Sequence, residues 1–248
     1  MKAMVFAAGL GTRLRPLTNH RPKALVEVAG RTMLEVTLSR LRAFDIREVI
    51  INVHHFAELI LDYLKRNDNF GMRIEVSREQ VLLDTGGGLK KAAYFFLEGS
   101  HGFAEPFLVH NVDVISTIDL RKMIEFHIEN EALATLAVQD RATSRSLLFD
   151  DQLQLCGRRT GRDQQDELVR SSRTVQALGF CGVHIISTRL LSLMVEEGVF
   201  SIIRPYLRLV AQGERILAFR ADEYYWRDLG RPENVLQADE ELRQKVRL

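Results

Sequence analysis

A glycine-rich loop loaded with cations follows the first apolar run of this chain. It reads Ala7-Ala8-Gly9-Leu10-Gly11-Thr12-Arg13-Leu14-Arg15-Pro16-Leu17-Thr18 and, after three residues, Pro22-Lys23-Ala24-Leu25. Gly9 and Gly11 permit backbone angles that bring amide N–H groups close to an anion. Arg13 and Lys23 add fixed positive charge suited to phosphate oxygens. These are the parts of a loop that holds a polyphosphate and works on it. Two common phosphate motifs are excluded. A dinucleotide fingerprint needs glycine where Leu14 stands, and no Gly-Lys-Ser/Thr string of a Walker A loop occurs. The plain alternative is an ordinary glycine turn with solvated arginines.

Two carboxylates far apart in the chain extend the reading. Phe107-Leu108-Val109-His110-Asn111-Val112-Asp113 ends an apolar strand with an acid. Ligands of open α/β sheets bind beyond the carboxyl ends of strands, so Asp113 would arrive near the loop carrying Arg13. A strand-end aspartate alone serves equally well as a turn or helix cap. Asp228, in Tyr224-Tyr225-Trp226-Arg227-Asp228-Leu229-Gly230-Arg231-Pro232, has the same plain reading. Asp84-Thr85-Gly86-Gly87-Gly88 precedes a helical stretch, Leu89–Phe96, and offers bare backbone to a flat base or ribose at a helix N-terminus. A glycine hinge without ligand would look alike.

Together these strings resemble the signature of the sugar-1-phosphate nucleotidylyltransferases, roughly Gly-x-Gly-Thr-Arg-Leu-x-Pro-Leu-Thr followed by Pro-Lys. Trp226-Arg227-Asp228-Leu229-Gly230-Arg231-Pro232 resembles the family's late Trp-x-Asp-hydrophobic-Gly-Thr-Pro segment, with Arg231 in place of threonine. Asn111-Val112-Asp113 departs from its Asn-Gly-Asp pattern at Val112. The resemblance implies transfer of a nucleotidyl group from a nucleoside triphosphate to a sugar 1-phosphate. Arg13 would hold the leaving phosphates and Lys23 would span the two reacting ones. Asp113 and Asp228 would bind Mg²⁺, a hard cation suited to a few carboxylates plus phosphate oxygens. Ala8, Gly9, Gly11, Thr12, Glu79, Gly86 and Gly87 would face the nucleotide, with Gln80 beside Glu79 as a second candidate for reading the base. Asn111 and Gly182, the latter in Leu178-Gly179-Phe180-Cys181-Gly182-Val183-His184, would line the sugar. The Glu-Lys-Pro string of many members is absent. Ser144-Arg145-Ser146-Leu147-Leu148-Phe149-Asp150, followed by Leu155-Cys156-Gly157, looks more like the shorter branch that includes the N-acetylmuramate 1-phosphate uridylyltransferases. Uridylyl transfer is therefore expected. Guanylyl or thymidylyl transfer, or a non-catalytic nucleotide-binding subunit of the same fold, are the alternatives; the intact Arg13, Lys23, Asp113 and Asp228 set favours an enzyme.

The rest of the chain must position these residues. Its 248 residues suffice for one large domain with a substantial core. Lys+Arg 34 against Asp+Glu 33 gives no general field for nucleic acid or an anionic membrane, so anion binding must be local. No apolar run reaches the length of a membrane span, and Met1-Lys2 leads straight into a strand, so a cytoplasmic location is expected. Cys156 and Cys181 show no metal-type spacing and read as reduced thiols. His184 reads as a packed strand histidine, and the adjacent His54 and His55 diverge too far for a metal pair.

Strand-like runs at Ala3–Phe6, Glu48–Val53, Arg73–Val76, Phe107–His110 and Ala134–Val138 alternate with helical periodicity. Thr32-Met33-Leu34-Glu35 is a capping box before an apolar face of Leu34, Leu38 and Leu41. Phe56–Leu64 is a second helix, and Leu120, Met123, Ile124, His127 and Ile128 mark another. The order predicts an α/β fold with a mixed, mostly parallel central sheet flanked by helices. The resemblance makes it the Rossmann-like nucleotidyltransferase fold with a small sugar-binding subregion. One domain over 1–248 is expected, with a nucleotide part to about 140, a sugar part over about 141–230 and a terminal helix from about 231 to 246. A hairpin of Ser146–Phe149 and Gln152–Leu155 would open the sugar part, Arg158–Arg173 reads as an exposed polar loop that could serve as a lid, and Val175–Ile186 resumes as a strand. Helices over Thr188–Glu196 and Phe200–Gln212, a strand over Arg215–Phe219 and a terminal helix opened by Pro232 complete the pattern.

Overall fold

A computed structural model describes residues 1–98, 105–160 and 165–244. Its first half runs β1 (Lys2–Phe6), β2 (Glu27–Val28), β3 (Arg31–Thr32), α1 (Met33–Ala43), β4 (Glu48–Val53), α2 (Ala57–Arg66), β5 (Arg73–Arg78), α3 (Asp84–Lys91), α4 (Ala93–Leu97), β6 (Pro106–Asn111), β7 (Val114–Ser116) and α5 (Leu120–Glu129). The second half runs β8 (Ala134–Gln139), β9 (Ser146–Phe149), β10 (Leu155–Thr160), β11 (Gln165–Leu168), β12 (Gln176–Ser187), α6 (Arg189–Leu193), α7 (Ile203–Ala211), β13 (Ile216–Arg220), β14 (Trp226–Asp228) and α8 (Pro232–Gln244).

The apolar run of β1 lies at the centre of the main sheet, paired in parallel with β4 on one side and β6 on the other. Successive strand side chains point to opposite faces, and both faces are covered here. Ala3 and Val5 join a core with Leu34, Leu38 and Leu41 of α1, Ile60 of α2, Met123 of α5 and Val235 of α8. Met4 and Phe6 join a second core with Phe95 and Phe96 of α4 and Tyr206 and Leu209 of α7. Among the described strands of the main sheet only β10 and β12 run against the rest, so the mixed, mostly parallel α/β architecture is as expected.

β12 bends where the sheet opens. One edge pairs with β9 over Gln176–Gly179 and then with β6 over Val183–Ser187. Against β8 the register shifts between Phe180 and His184. Gly182 takes a φ of 72° inside this irregularity, a conformation natural to glycine.

Four expectations change. Helix α3 starts at Asp84 and contains Gly86, Gly87 and Gly88, rather than following them. It breaks at Ala92 before α4. The second strand after the Asp150-Asp151 turn begins at Leu155, not Gln152. The polar 158–173 segment is partly paired: β10 and β11 lie antiparallel, with Arg158 and Arg159 opposite Glu167 and Asp166 and ion-paired to them. Cross-strand charge complementarity stabilises a strand pair that needs no apolar residues. Residues 161–164 of that segment lie outside the described ones. On α5, Ile128 points to solvent while Met123 and His127 are buried.

Candidate active site

The glycine loop wraps a lysine. Gly11 has a φ of 65°, and its carbonyl accepts from the Thr18 hydroxyl at 2.7 Å and from the Leu14 amide at 2.9 Å. A side chain at Gly11 would press on Thr18, and one at Gly9 would lie 3.2 Å from Lys23 Nζ. Lys23 therefore lies across the turn, and its ammonium donates to Asp113 Oδ2 at 2.8 Å. Burial favours the neutral acid at Asp113, but the Lys23 charge and hydrogen bond outweigh it and hold the carboxyl below its ordinary range, with help from Arg13.

Strand pairing brings the second aspartate in. β14 pairs antiparallel with β7, placing Asp228 opposite Val114, and Leu229 N donates to Asp113 O at 2.7 Å. Asp228 Oδ1 accepts from Gly230 N at 2.6 Å. A side chain on Gly230 would fall 2.7 Å from that oxygen and 3.0 Å from Arg13 Nη2, so the bare glycine leaves room for both. Arg13, Asp228 and Asn111 open onto one cleft of about 1180 Å³. The Lys23–Asp113 pair, the Leu229 N–Asp113 O bond and the space around Gly230 bring Arg13, Lys23, Asp113 and Asp228 together past the end of β6. Asn111 stands at the cleft, with Gly182 behind it; a Cβ there would lie 2.7 Å from the Asn111 amide nitrogen. Ala8 is buried at the loop's entry and Thr12 exposed at its crest.

Three expected nucleotide contacts have other occupations. Glu79 is buried, with Oε1 accepting from Asn52 Nδ2 at 2.7 Å and Oε2 from Leu83 N at 2.9 Å. It shapes the 80–83 segment, while the neighbouring Gln80 is exposed. Gly86 and Gly87 both donate their amides to Phe200 O, at 2.9 and 3.2 Å, so those amides are not open to an anion. A Cβ at Gly86 would collide with the Phe200 ring, and one at Gly87 would lie 2.5 Å from Gly198 O. The glycines serve close packing of the 198–200 segment on α3; Asp84 and Thr85 reach the cleft instead.

Sequence reasoning passed over Asn52 and Arg141. Buried Asn52 accepts from Ala7 N at 2.8 Å while donating to Glu79, tying the glycine loop to the 80–83 segment. Arg141 borders the cleft with its guanidinium carbon 4.0 Å from the Trp226 ring centre. The available signal was Gly179, since glycine within a strand marks a close approach. His184, His54 and His55 have partners within the fold. His184 Nδ1 meets Tyr206 Oη at 2.8 Å, and burial pushes its pKa down to about 3. His54 Nδ1 meets Glu79 O at 2.8 Å, and His55 packs on Phe56.

Carboxylates at Asp113 and Asp228, on backbones joined by a hydrogen bond, suit a hard oxygen-seeking cation that takes its other ligands from phosphate and water. Among the described residues no group of three or more His, Cys, Asp or Glu side chains is placed to hold a metal ion. None of the described helices is long and apolar enough to cross a membrane.

A Rossmann-like sheet with a glycine loop, Arg13 and Asp228 on one cleft and the Lys23–Asp113 pair joined to them through Leu229 defines a nucleotidyltransferase. The chain belongs to the nucleotidyl transferase family, whose model matches residues 2–146. It is similar to the N-acetylmuramate alpha-1-phosphate uridylyltransferase of Caulobacter vibrioides, with 36% identity over 97% of this chain and 96% of the relative. It is also similar to mannose-1-phosphate guanylyltransferase 1 of Arabidopsis thaliana, 38% identical over 56% of this chain but only 38% of that protein. Among solved structures, HddC from Yersinia pseudotuberculosis, complexed with GMP-PN, shares the fold at a TM-score of 0.75 and 22% identity, over 97% of this chain and 99% of its own.

Proposed function

We propose that the protein transfers a uridylyl group from UTP to the phosphate of a sugar 1-phosphate, with N-acetylmuramate 1-phosphate as the leading acceptor. The end-to-end similarity to a uridylyltransferase of that substrate carries this reading, because it spans the acceptor half as well as the glycine loop. An acceptor phosphate oxygen attacks the α-phosphorus of UTP. The new P–O bond forms as the bond to the bridging α–β oxygen breaks, and pyrophosphate leaves with that oxygen.

A phosphate monoester is already nucleophilic, so no general base is needed, in keeping with the buried, neutral His184. Positioning and charge neutralisation supply the rate. Arg13 stabilises the charge gathering on the departing pyrophosphate. Lys23 lies between donor and acceptor phosphates and leaves Asp113 for them when substrate arrives. Asp113 and Asp228 would hold Mg²⁺, which neutralises phosphate charge when bound. Ala8, Gly9, Gly11 and Thr12 form the bed of the triphosphate, and Asn111 faces the sugar, with Gly182 supporting it.

Pyrophosphate release with each NTP, Mg²⁺ and a panel of sugar 1-phosphates tests the reading. Fastest release with UTP and N-acetylmuramate 1-phosphate is expected. Preference for GTP or dTTP would replace the uridylyl assignment. Nucleotide binding without any release would make the protein a non-catalytic binder.

A further inference from the structure

Arg141 is held in place without an ionic partner. Its guanidinium stacks on Trp226 with 4.0 Å from the guanidinium carbon to the ring centre, and Nη2 donates to Phe180 O at 2.8 Å. Buried Nε meets no acceptor. A Cβ at Gly179 would lie 2.8 Å from the guanidinium carbon and 2.9 Å from Nε, so the strand is bare where the arginine crosses it. Trp226 is itself fixed, donating Nε1–H to Cys181 O at 2.8 Å. No described carboxylate pairs with Arg141.

A fixed, half-buried guanidinium without a counter-ion is complementary to an anion, and its planar fork suits the oxygens of a phosphate or carboxylate. Trp226 and Asp228, two apart on β14, line the cleft; Arg227 between them also borders it but is ion-paired to Glu241. Arg141, lying over Trp226, thus lines the same cleft as Asp228. Two of the other cleft arginines already have ionic partners. No lysine occurs between Lys122 and Lys245. Arg158 is paired with Glu167, and Arg231 lies 3.7 Å from Glu233.

We propose that Arg141, clamped between Trp226 and the bare backbone of Gly179, binds the phosphate of the acceptor and aims its attacking oxygen at the nucleotide. This rests on the proposed function, and it assigns the acceptor phosphate to a residue of the 140–145 loop. Arg141 grips non-attacking oxygens, leaving one free to form the new bond. Arg145, also bordering the cleft, stands at the other end of the same loop.

The test compares the unaltered protein with Arg141→Gln and Arg141→Lys, using UTP, Mg²⁺ and two acceptors. These are N-acetylmuramate 1-phosphate, which carries a carboxylate on the sugar, and N-acetylglucosamine 1-phosphate, which does not. Arg141→Gln should raise the acceptor KM at least tenfold for both acceptors while the UTP KM stays within about twofold; Arg141→Lys should recover part of the loss. Calorimetric titration with each acceptor alone should show the same loss without turnover. Both variants should keep UTP affinity, which a misfolded protein would not. An unchanged acceptor KM in Arg141→Lys and Arg141→Gln overturns the assignment while leaving the reaction class intact. A penalty confined to N-acetylmuramate 1-phosphate would overturn it in favour of the sugar carboxylate. No turnover of any acceptor by the unaltered protein would sink both the assignment and the function beneath it.

Discussion

Lys23 Nζ lies 2.8 Å from Asp113 Oδ2, joining a loop and a strand end ninety positions apart. Neither partner is open to solvent, with side-chain exposures of 15% and 11%. The ammonium neutralises the acid at a place where, in the proposed reaction, a metal and two phosphates gather. Lys23 thus has two partners at different stages, and its removal should be felt both in the fold and in the reaction.

Lys23→Ala should lower turnover by about 10²–10³ and also lower stability, because a buried carboxylate without its partner is costly, up to about 3–5 kcal/mol. Adding Asp113→Asn removes the stranded charge. The double variant should therefore regain much of the melting temperature while remaining inactive. Denaturant unfolding and pyrophosphate release on the four proteins of the cycle measure both quantities. A Lys23→Ala protein as active as the parent removes Lys23 from the mechanism.

Gly86→Ala should act through packing. The new methyl group meets the Phe200 ring and lies 2.8 Å from Phe200 O. Overpacking of this kind destabilises by about 1–3 kcal/mol. Because the Gly86 amide already serves Phe200 O, UTP affinity of the folded fraction should change less than stability does. Calorimetric titration with UTP, set beside thermal unfolding, separates the two effects; a large affinity loss at unchanged stability would return Gly86 to the nucleotide.

What the sequence made legible depended on how local the signal was. β1 and β4 are short apolar runs whose burial needs little context, and β4 matches its expected bounds. The capping box was half right: Thr32 Oγ1 accepts from Glu35 N at 3.1 Å, but the Glu35 carboxylate turns to Arg31 and Tyr63. The Gly86–Gly88 triplet misled because glycine propensity argues against helix, whereas tight packing against Phe200 and Gly198 demands glycine within one. The β10–β11 pairing was hidden because its cross-strand contacts are ionic. Arg141 was invisible because its partner, Trp226, lies 85 positions away (226 minus 141) and an arginine after a strand resembles any solvated charge. The aspartate pair could be anticipated only through motif resemblance, since the β7–β14 pairing that joins its backbones involves two three-residue strands with no periodicity to read.

Acid should loosen the segment that packs on α3. Glu196 is buried and accepts from Arg208 Nε at 2.7 Å and Nη2 at 3.1 Å. That hydrogen bonding, opposed by burial, holds the Glu196 carboxyl below its ordinary 4.5. A depressed carboxyl pKa stabilises the fold fully above the unfolded value and loses that stabilisation as pH falls through the folded one. Stability should therefore decline below about pH 4.5, more steeply in the parent than in Glu196→Gln, which should already be weaker at pH 7 by about 1.5–3 kcal/mol. Urea unfolding across pH 3–7 checks this; parallel curves for the two proteins would show that the pair contributes no acid sensitivity.

The two aspartates should behave as one unit. Asp228 faces Val114 across the β7–β14 pairing and Leu229 N binds Asp113 O, so the two backbones cannot move independently. Asp113→Asn and Asp228→Asn each keep side-chain size but remove a charge that a hard cation needs. Each single variant should require far more Mg²⁺ for turnover, and the double variant should lose little beyond the worse single one, because neither carboxylate holds the ion alone. Mn²⁺ offers a readout apart from activity: its paramagnetic relaxation of solvent protons, measured with UTP bound, should fall to the protein-free level in both single variants. Asp113→Asn has a further consequence, since it also releases Lys23 from its ion pair. Its UTP affinity in the absence of metal should stay level or rise, with the ammonium free for phosphate, while that of Asp228→Asn should scarcely move. Losses that multiply in the double variant, with Mn²⁺ relaxation intact in either single one, would show that the two aspartates serve separate purposes.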